Sequence, residues 1–305
     1  MGTGLYRDLP AFAALMDEVF RAMGTAGAEL RSEWLAADPA FPIDHVGRSQ
    51  PLLFAIDYAL GRLLIDLGLR PAVLLGHSIG EMAAALLAGV FDLDSVVRIL
   101  QHRVHEADRA PAGGMAAVSA SAAEVAPYLR PGMGIGAINA PRQTVIAGPD
   151  EPLHTALEAL EQAGFTWAPV CSSAPFHSSA LQPLADAALP LLADLPIRPP
   201  RIPVISGYTG RRLSDAEAVD PQYWARHPVD PVLFWAALDG LLASGPQLLI
   251  ECGPGQGLTI LARRHPDVRS GRSRAMPLIG SAAPDPDGEA GRFAAAATKL
   301  ALPVP

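Results

Sequence analysis

The chain has 305 residues, half of them hydrophobic, and a formal net charge of −8 at pH 7. The length and hydrophobic content are consistent with one large domain or two smaller ones with a sizeable core. The negative net charge argues against non-specific nucleic-acid binding. No apolar stretch reaches the roughly 20 residues of a membrane span, no signal peptide is visible, and two cysteines make no disulfide framework, so we expect a cytoplasmic protein without membrane contact.

The first third of the chain predicts mainly helices, joined by one short strand. In chain order the predicted elements are a helical segment over residues 5–37, a helix over residues 51–68 with Pro51 in its first turn, a strand over residues 72–75, a helix ending near residue 88, and a helix capped by Asp92.

Between the strand and the third of these helical segments, Ser78 lies between Gly76 and Gly80. The pattern G-x-S-x-G, with a strand before it and a helix after it, is typical of a nucleophile elbow. The alternative is a serine that only caps a helix after a tight turn. A serine hydroxyl is a poor nucleophile alone and needs a base within hydrogen-bond reach.

Residues 114–173 predict the order β-α-β-β-α-β, which is typical of a ferredoxin-like unit. Residues 1–113 and 174–305 predict further helices and buried strands around the elbow. We therefore predict an α/β fold: an α/β-hydrolase-like large subdomain with a parallel sheet, into which a small ferredoxin-like subdomain is inserted.

Histidine is the natural base near neutral pH, and the chain has eight. The side chain of His77, beside the serine, must point elsewhere. Among the others, His177 and His227 remain after those on helical faces and in polar loops are set aside. His177 follows the point where the small subdomain returns to the large one, where a cleft is expected, so it is the favoured base.

Five segments resemble, in order and spacing, the acyltransferase domains of polyketide synthases and the malonyl-CoA:acyl carrier protein transacylases of fatty-acid synthesis. They are GHSIGE, AINAPRQTVIAGP, SSAPFHS, DPQYWARHPVDPVLF and IECGPGQGL, and the resemblance covers essentially the whole chain. It implies acyl-CoA as donor, the phosphopantetheine thiol of an acyl carrier protein as acceptor, and no bound cofactor or metal.

The resemblance also implies roles for matching positions. Ser78 matches the nucleophile and His177 the general base and acid. A main-chain carbonyl at His227 or its neighbour would orient the base, and the amide of Ile79 would donate to the oxyanion. The positions that match substrate-binding residues are Gln50, His77, Arg103, Asn139 and Phe176.

Two of these positions bear on the substrate. Arg103 matches the arginine that holds the free carboxylate of a malonyl-type group, for which a guanidinium fork is suited; the alternative is an exposed helix arginine. Phe176, directly before His177, fits the malonyl pattern because it leaves less room for an α-methyl. One methyl gives only about 1–3 kcal/mol of discrimination.

The N-terminus departs from the family. Its members begin with a strand and a turn of the form FPGQGxQ, whereas this chain begins MGTGLYRDLP. Without this segment, the fold would lack a central strand and the site would lack a second oxyanion donor. A misassigned start, a trimmed chain and a degenerate relative are the open explanations, and we favour the first.

The leading hypothesis is a discrete, monomeric acyltransferase of polyketide and antibiotic biosynthesis that acts on malonyl-CoA. Two enzymatic alternatives are a transferase that moves a non-malonyl acyl group between carrier proteins and an editing acyl hydrolase; Arg103 argues against both. The non-enzymatic alternative is an inactive homologue that only binds carrier protein, and the intact Ser78 and His177 argue against it.

Overall fold

The computed structural model describes residues 1–107, 109–280 and 288–303. The helices are α1 Thr3–Asp8, α2 Pro10–Ala22, α3 Thr25–Leu35, α4 Val46–Asp66, α5 Gly80–Ala88, α6 Leu93–Ala107, α7 Ala122–Val125, α8 Asp150–Gln162, α9 Gln182–Ala193, α10 Asp215–Ala218, α11 Pro221–Ala225, α12 Phe234–Ala243, α13 Gly257–Ala262, α14 Pro266–Arg269 and α15 Gly288–Lys299. The strands are β1 Leu74–Leu75, β2 Gly113–Val118, β3 Gly134–Ala140, β4 Gln143–Pro149, β5 Trp167–Val170, β6 Val204–Ile205, β7 Leu248–Glu251 and β8 Arg274–Pro277.

The N-terminal helices follow the sequence prediction, with one boundary corrected. α4 begins at Val46, because the ring of His45 accepts a hydrogen bond from the amide two residues on and caps the helix there. Pro51 therefore lies inside α4 rather than in its first turn. Asp92 does cap α6, since its carboxylate accepts from the amide of Ser95 at 2.9 Å.

The parallel strands form two separate pairs in the described part of the chain, β1 with β6 and β7 with β8, rather than one continuous sheet. In the first pair Leu74 lies opposite Val204. The carboxylate of Asp57 on α4 lies between the two pairs: a Cβ on Gly80, after β1, would be 3.4 Å from one of its oxygens, and a Cβ on Gly253, after β7, would be 3.3 Å from the other.

The inserted unit has the predicted ferredoxin-like topology. Its four strands are antiparallel neighbours in the order β3-β4-β2-β5, and α7 and α8 connect them in the β-α-β-β-α-β sequence. The entering strand β2 and the leaving strand β5 lie side by side, with Met115 opposite Val170. The proposed subdomain boundaries at residues 113/114 and 173/174 stay predictions, and residues 281–287 and 304–305 lie outside the described residues.

Each part has an apolar core of its own, and a further cluster, in which β3 and β4 pack against α12, joins the two parts. The large core surrounds α4, where Phe54 and Leu60 are fully buried. The inserted unit has its own smaller core with Val118 and Ile146. No helix among the described residues combines the length and the apolar character that crossing a bilayer requires.

Candidate active site

Ser78 lies in the sharp turn between β1 and α5. Its backbone has a φ of 53°, a left-handed conformation that is uncommon for a residue with a side chain. Gly76 makes the turn possible, because a Cβ there would lie 2.3 Å from the backbone of Glu81. Such a strained residue at the carboxyl end of a parallel strand has the geometry of a nucleophile elbow.

We expect the two glycines of the elbow to differ in their tolerance of alanine. Gly76→Ala should lower the free energy of unfolding by at least about 2–3 kcal/mol, because the backbone of α5 would have to move. Gly80→Ala is the matched control: its Cβ meets only a carboxylate oxygen of Asp57 at 3.4 Å, so the loss should stay below about 1 kcal/mol. Urea denaturation measures both changes, and equal losses would contradict this account of the turn.

Ser78 and His177 are in direct contact although they are far apart in sequence. Ser78 Oγ lies 2.7 Å from His177 Nε2. On the other side of the ring, Nδ1 donates to the main-chain carbonyl of Asp230 at 2.8 Å. Since a carbonyl only accepts, the proton resides on Nδ1, and Nε2 is left free to take the proton of the serine.

The orienting carbonyl was expected at His227 or its neighbour. The carbonyl within 2.8 Å of Nδ1 is that of Asp230, three residues further on, and the backbone of His227 also favours the charged ring. The segment turns after α11, which brings the Asp230 carbonyl under the ring. The amide of His177 also donates to the carbonyl of Pro228 at 2.6 Å. The guanidinium of Arg226 forms an ion pair with the Asp230 carboxylate and so holds this segment in place.

Burial lowers the pKa of His177 to about 4, because a charged imidazole would lose its hydration. The Asp230 carbonyl opposes this shift, and the nearby His77 and Arg103 add to it. The base is therefore neutral, and able to accept a proton, throughout the neutral and mildly acidic range.

The pH dependence of acylation should follow from this shift. A base works only when it is unprotonated, so kcat/KM for the acyl donor should be constant from about pH 8 to pH 5 and fall about tenfold per unit below about pH 4. Rapid-quench measurement of the Ser78 adduct after short incubations would record the profile. An inflection near 6.5, the usual histidine value, would contradict it.

A small cavity opens beside the pair. Arg103, on α6, lines it and is only 9% exposed. One guanidinium nitrogen of Arg103 donates to the carbonyl of Trp224 at 2.9 Å, and no carboxylate among the described residues forms an ion pair with it. Burial lowers its pKa to about 10, which leaves it charged at neutral pH. A buried cation beside a cavity favours an anionic ligand there.

The other candidate residues divide into two groups. Gln50, Ile79 and Phe176 line the same cavity as Ser78 and Arg103. Asn139 and His77 are not among its lining residues; instead the His77 ring and the Asn139 amide oxygen are 2.9 Å apart. The structure shows that these two residues contact each other, because the elbow directs the His77 ring towards β3. Their contact with the acyl group stays a prediction.

Two residues of the site were not predicted from the sequence. Tyr208 lines the cavity and lies just beyond β6, at the carboxyl end of a parallel strand, where the topology would have indicated it. Glu81 is completely buried, accepts hydrogen bonds from the Gly207 amide and the Tyr223 hydroxyl, and has its pKa raised to about 7 by burial. These hydrogen bonds connect α5, the helix after the elbow, to the segment that contains Tyr208.

Among the described residues, no three side chains of His, Cys, Asp or Glu are grouped so that they could hold an ion. The site consists of a serine, a histidine and a buried arginine around one cavity.

Comparison with known proteins gives a consistent result. The sequence profile described as "Acyl transferase domain" matches residues 1–302. A component of the phenolphthiocerol/phthiocerol polyketide synthase of Mycobacterium tuberculosis is 36% identical over 269 residues, which are 87% of this chain and 18% of that protein. The chain thus spans less than one fifth of that curated relative.

Solved structures agree in fold over nearly the whole chain. The acyltransferase domain from the second module of the salinomycin polyketide synthase superposes with a TM-score of 0.86 at 32% identity and covers 100% of this chain and 70% of its own. The acyltransferase domain of SpnD, in complex with 2-(pent-4-yn-1-yl)malonyl, gives 0.87 at 30% identity, with 99% and 74% covered.

Proposed function

The chain belongs to the acyl transferase domain family, and from this we propose that it transfers a malonyl-type group from coenzyme A to the phosphopantetheine thiol of an acyl carrier protein in polyketide biosynthesis. The observation that carries the proposal is the cavity in which the Ser78–His177 pair meets the buried Arg103. A nucleophile with its base is suited to acyl transfer, and the cation to an acyl group that ends in a carboxylate.

In the first half-reaction, His177 Nε2 takes the proton of Ser78 while Oγ attacks the thioester carbonyl carbon. The amide of Ile79, at the N-terminus of α5, is free to donate to the developing oxyanion, since among the described residues it makes no hydrogen bond of its own. The carbon–sulfur bond then breaks, and the imidazolium gives its proton to the departing thiolate of coenzyme A.

In the second half-reaction the roles reverse. The thiol of the carrier protein gives its proton to His177 and attacks the serine ester. The carbon–oxygen bond breaks, Ser78 regains the proton, and the acyl group leaves as a thioester of the carrier. The Asp230 carbonyl stabilises the imidazolium in both halves, because it accepts from Nδ1.

The malonyl-type substrate is supported by three features. Arg103 is placed to pair with a carboxylate, and Phe176 lines the same cavity and limits its width. The SpnD acyltransferase domain, with a similar fold, has been solved with a substituted malonyl group.

Intact-protein mass spectrometry after incubation with malonyl-, methylmalonyl- and acetyl-CoA tests the proposal. We expect a malonyl adduct on the parent protein and none on Ser78→Ala. The adduct should persist in buffer and disappear when a phosphopantetheinylated carrier protein is added, with the acyl group recovered on the carrier.

Each alternative has its own outcome in this experiment. Rapid loss of the adduct in buffer alone would indicate an editing hydrolase. An adduct formed only from an acylated carrier would indicate transfer between carriers. Carrier binding without any adduct, from either kind of donor, would overturn the proposal in favour of a non-catalytic homologue.

A further inference from the structure

The imidazole of His227 has no hydrogen-bond partner although it is almost completely buried. His227 is only 2% exposed, and neither Nδ1 nor Nε2 has a hydrogen-bond partner among the described residues. The ring stacks on Tyr208 with centroids 3.9 Å apart, and both residues line the cavity beside Ser78. Buried polar groups are nearly always paired, so this one requires an explanation.

Packing alone does not provide the explanation. Tyr208, Tyr223 and Trp224 surround the ring, and a phenylalanine would make the same aromatic contacts without unpaired nitrogens. Burial lowers the pKa of His227 well below the usual value, and the charges of Arg103 and His177 act in the same direction. The ring is therefore neutral and carries one N–H donor.

We propose that the side chain of His227 binds the free carboxylate of the acyl group, donating a hydrogen bond to the same group that Arg103 neutralises. The inference rests on the proposed function and deepens it, because it assigns to this histidine a side-chain contact with substrate beside the main-chain role expected from the sequence.

A carboxylate suits this place better than a neutral acyl tail. Its two oxygens offer about four acceptor positions, and a guanidinium fork occupies two of them. Arg103 has one nitrogen engaged by the Trp224 carbonyl, which leaves fewer donors for the ligand. A neutral N–H beside it adds a donor without adding a second buried charge.

Two substitutions test the proposal. His227→Phe keeps the stacking on Tyr208 and removes the donor, whereas His227→Gln removes the ring and keeps an N–H donor. We expect His227→Phe to raise KM for malonyl-CoA about tenfold to a hundredfold, to slow Ser78 acylation by acetyl-CoA by a clearly smaller factor, and to keep or raise the melting temperature. His227→Gln should recover most of the malonyl affinity.

Equal losses with malonyl-CoA and acetyl-CoA, or no loss with either, would overturn the inference. A readout without turnover separates it from the proposed function. In Ser78→Ala protein with ¹⁵N-labelled histidine, malonate should shift the His227 ring resonances, identified by their absence in His227→Phe, and the neutral diamide malonamide should not. If the parent protein forms no malonyl adduct but malonate shifts these resonances, the proposed function fails and the carboxylate contact stands. Malonate binding that leaves them unmoved refutes the contact.

Discussion

Replacement of Ser78 by alanine or of His177 by asparagine should each reduce the rate of acyl transfer to the carrier protein by a factor of at least about 10³ and up to about 10⁶, and the double replacement should reduce it no further. The reason is the 2.7 Å contact between Oγ and Nε2, which makes the two groups one reacting unit. Without the base the hydroxyl keeps its proton, and without the hydroxyl the base has nothing to activate. The rate at which the malonyl group appears on the carrier protein, read by mass spectrometry, would give the values for both single variants and the double variant.

Asparagine is the appropriate replacement for His177 because its backbone has a φ of 62°, and asparagine tolerates the left-handed region better than most residues. Circular dichroism and melting temperature should show that both variants remain folded. If the losses multiply in the double variant, the two residues act independently and the proposed dyad is wrong.

Replacement of Arg103 by methionine should change the choice of acyl group. We expect kcat/KM for malonyl-CoA to fall about 10²- to 10³-fold, since two charge-assisted hydrogen bonds to the carboxylate are lost. The value for acetyl-CoA should stay the same or rise, because a buried charge without an anionic partner no longer adjoins an apolar acyl group. Competition between the two donors, read by intact mass, measures the reversal of preference.

Arg98 provides the matched control, because it lies on the same helix α6 with an exposed side chain. Arg98→Met should leave both donors unaffected. The free energy of unfolding of Arg103→Met should be no lower than that of the parent protein, since methionine fills the buried position without a desolvated charge. A parallel fall for malonyl-CoA and acetyl-CoA would show that Arg103 supports the fold of the cavity instead of selecting its ligand.

The sequence carried enough information to predict the inserted unit, and less to predict the parallel strands. In residues 113–170, turn residues separate well-formed apolar runs, so element order and topology could be read directly. β1 and β6 contain only two residues each, too few for a periodic pattern. Whether such strands join into one sheet depends on contacts between distant segments, and the position of Asp57 between the two pairs has no local signature.

Site residues that act through a particular side chain could be predicted from the sequence. Groups that act through the main chain were harder to predict. Ser78, His177 and Arg103 could be identified beforehand because each lies in a distinctive sequence setting. The structure brings all three to one cavity. The orienting group at Asp230 is a carbonyl, which every residue possesses, so only the path of the chain identifies it. The unpaired ring of His227 is likewise a property of its surroundings and not of the sequence.

The inserted unit enters and leaves the large part through neighbouring strands, with Met115 opposite Val170. Recombination at these two points would exchange the inserted unit, and the incoming unit would also have to pack against Val232, as Ala137 does. Ser78 and His177 both lie outside the exchanged segment, so the reacting groups stay with the recipient. Asn139 lies inside it, and an incoming module preserves the contact with His77 only if it supplies an acceptor at that position. The neighbouring entry and exit strands thus favour exchange of the inserted unit, and the apolar cluster that it shares with the large part limits which units fit.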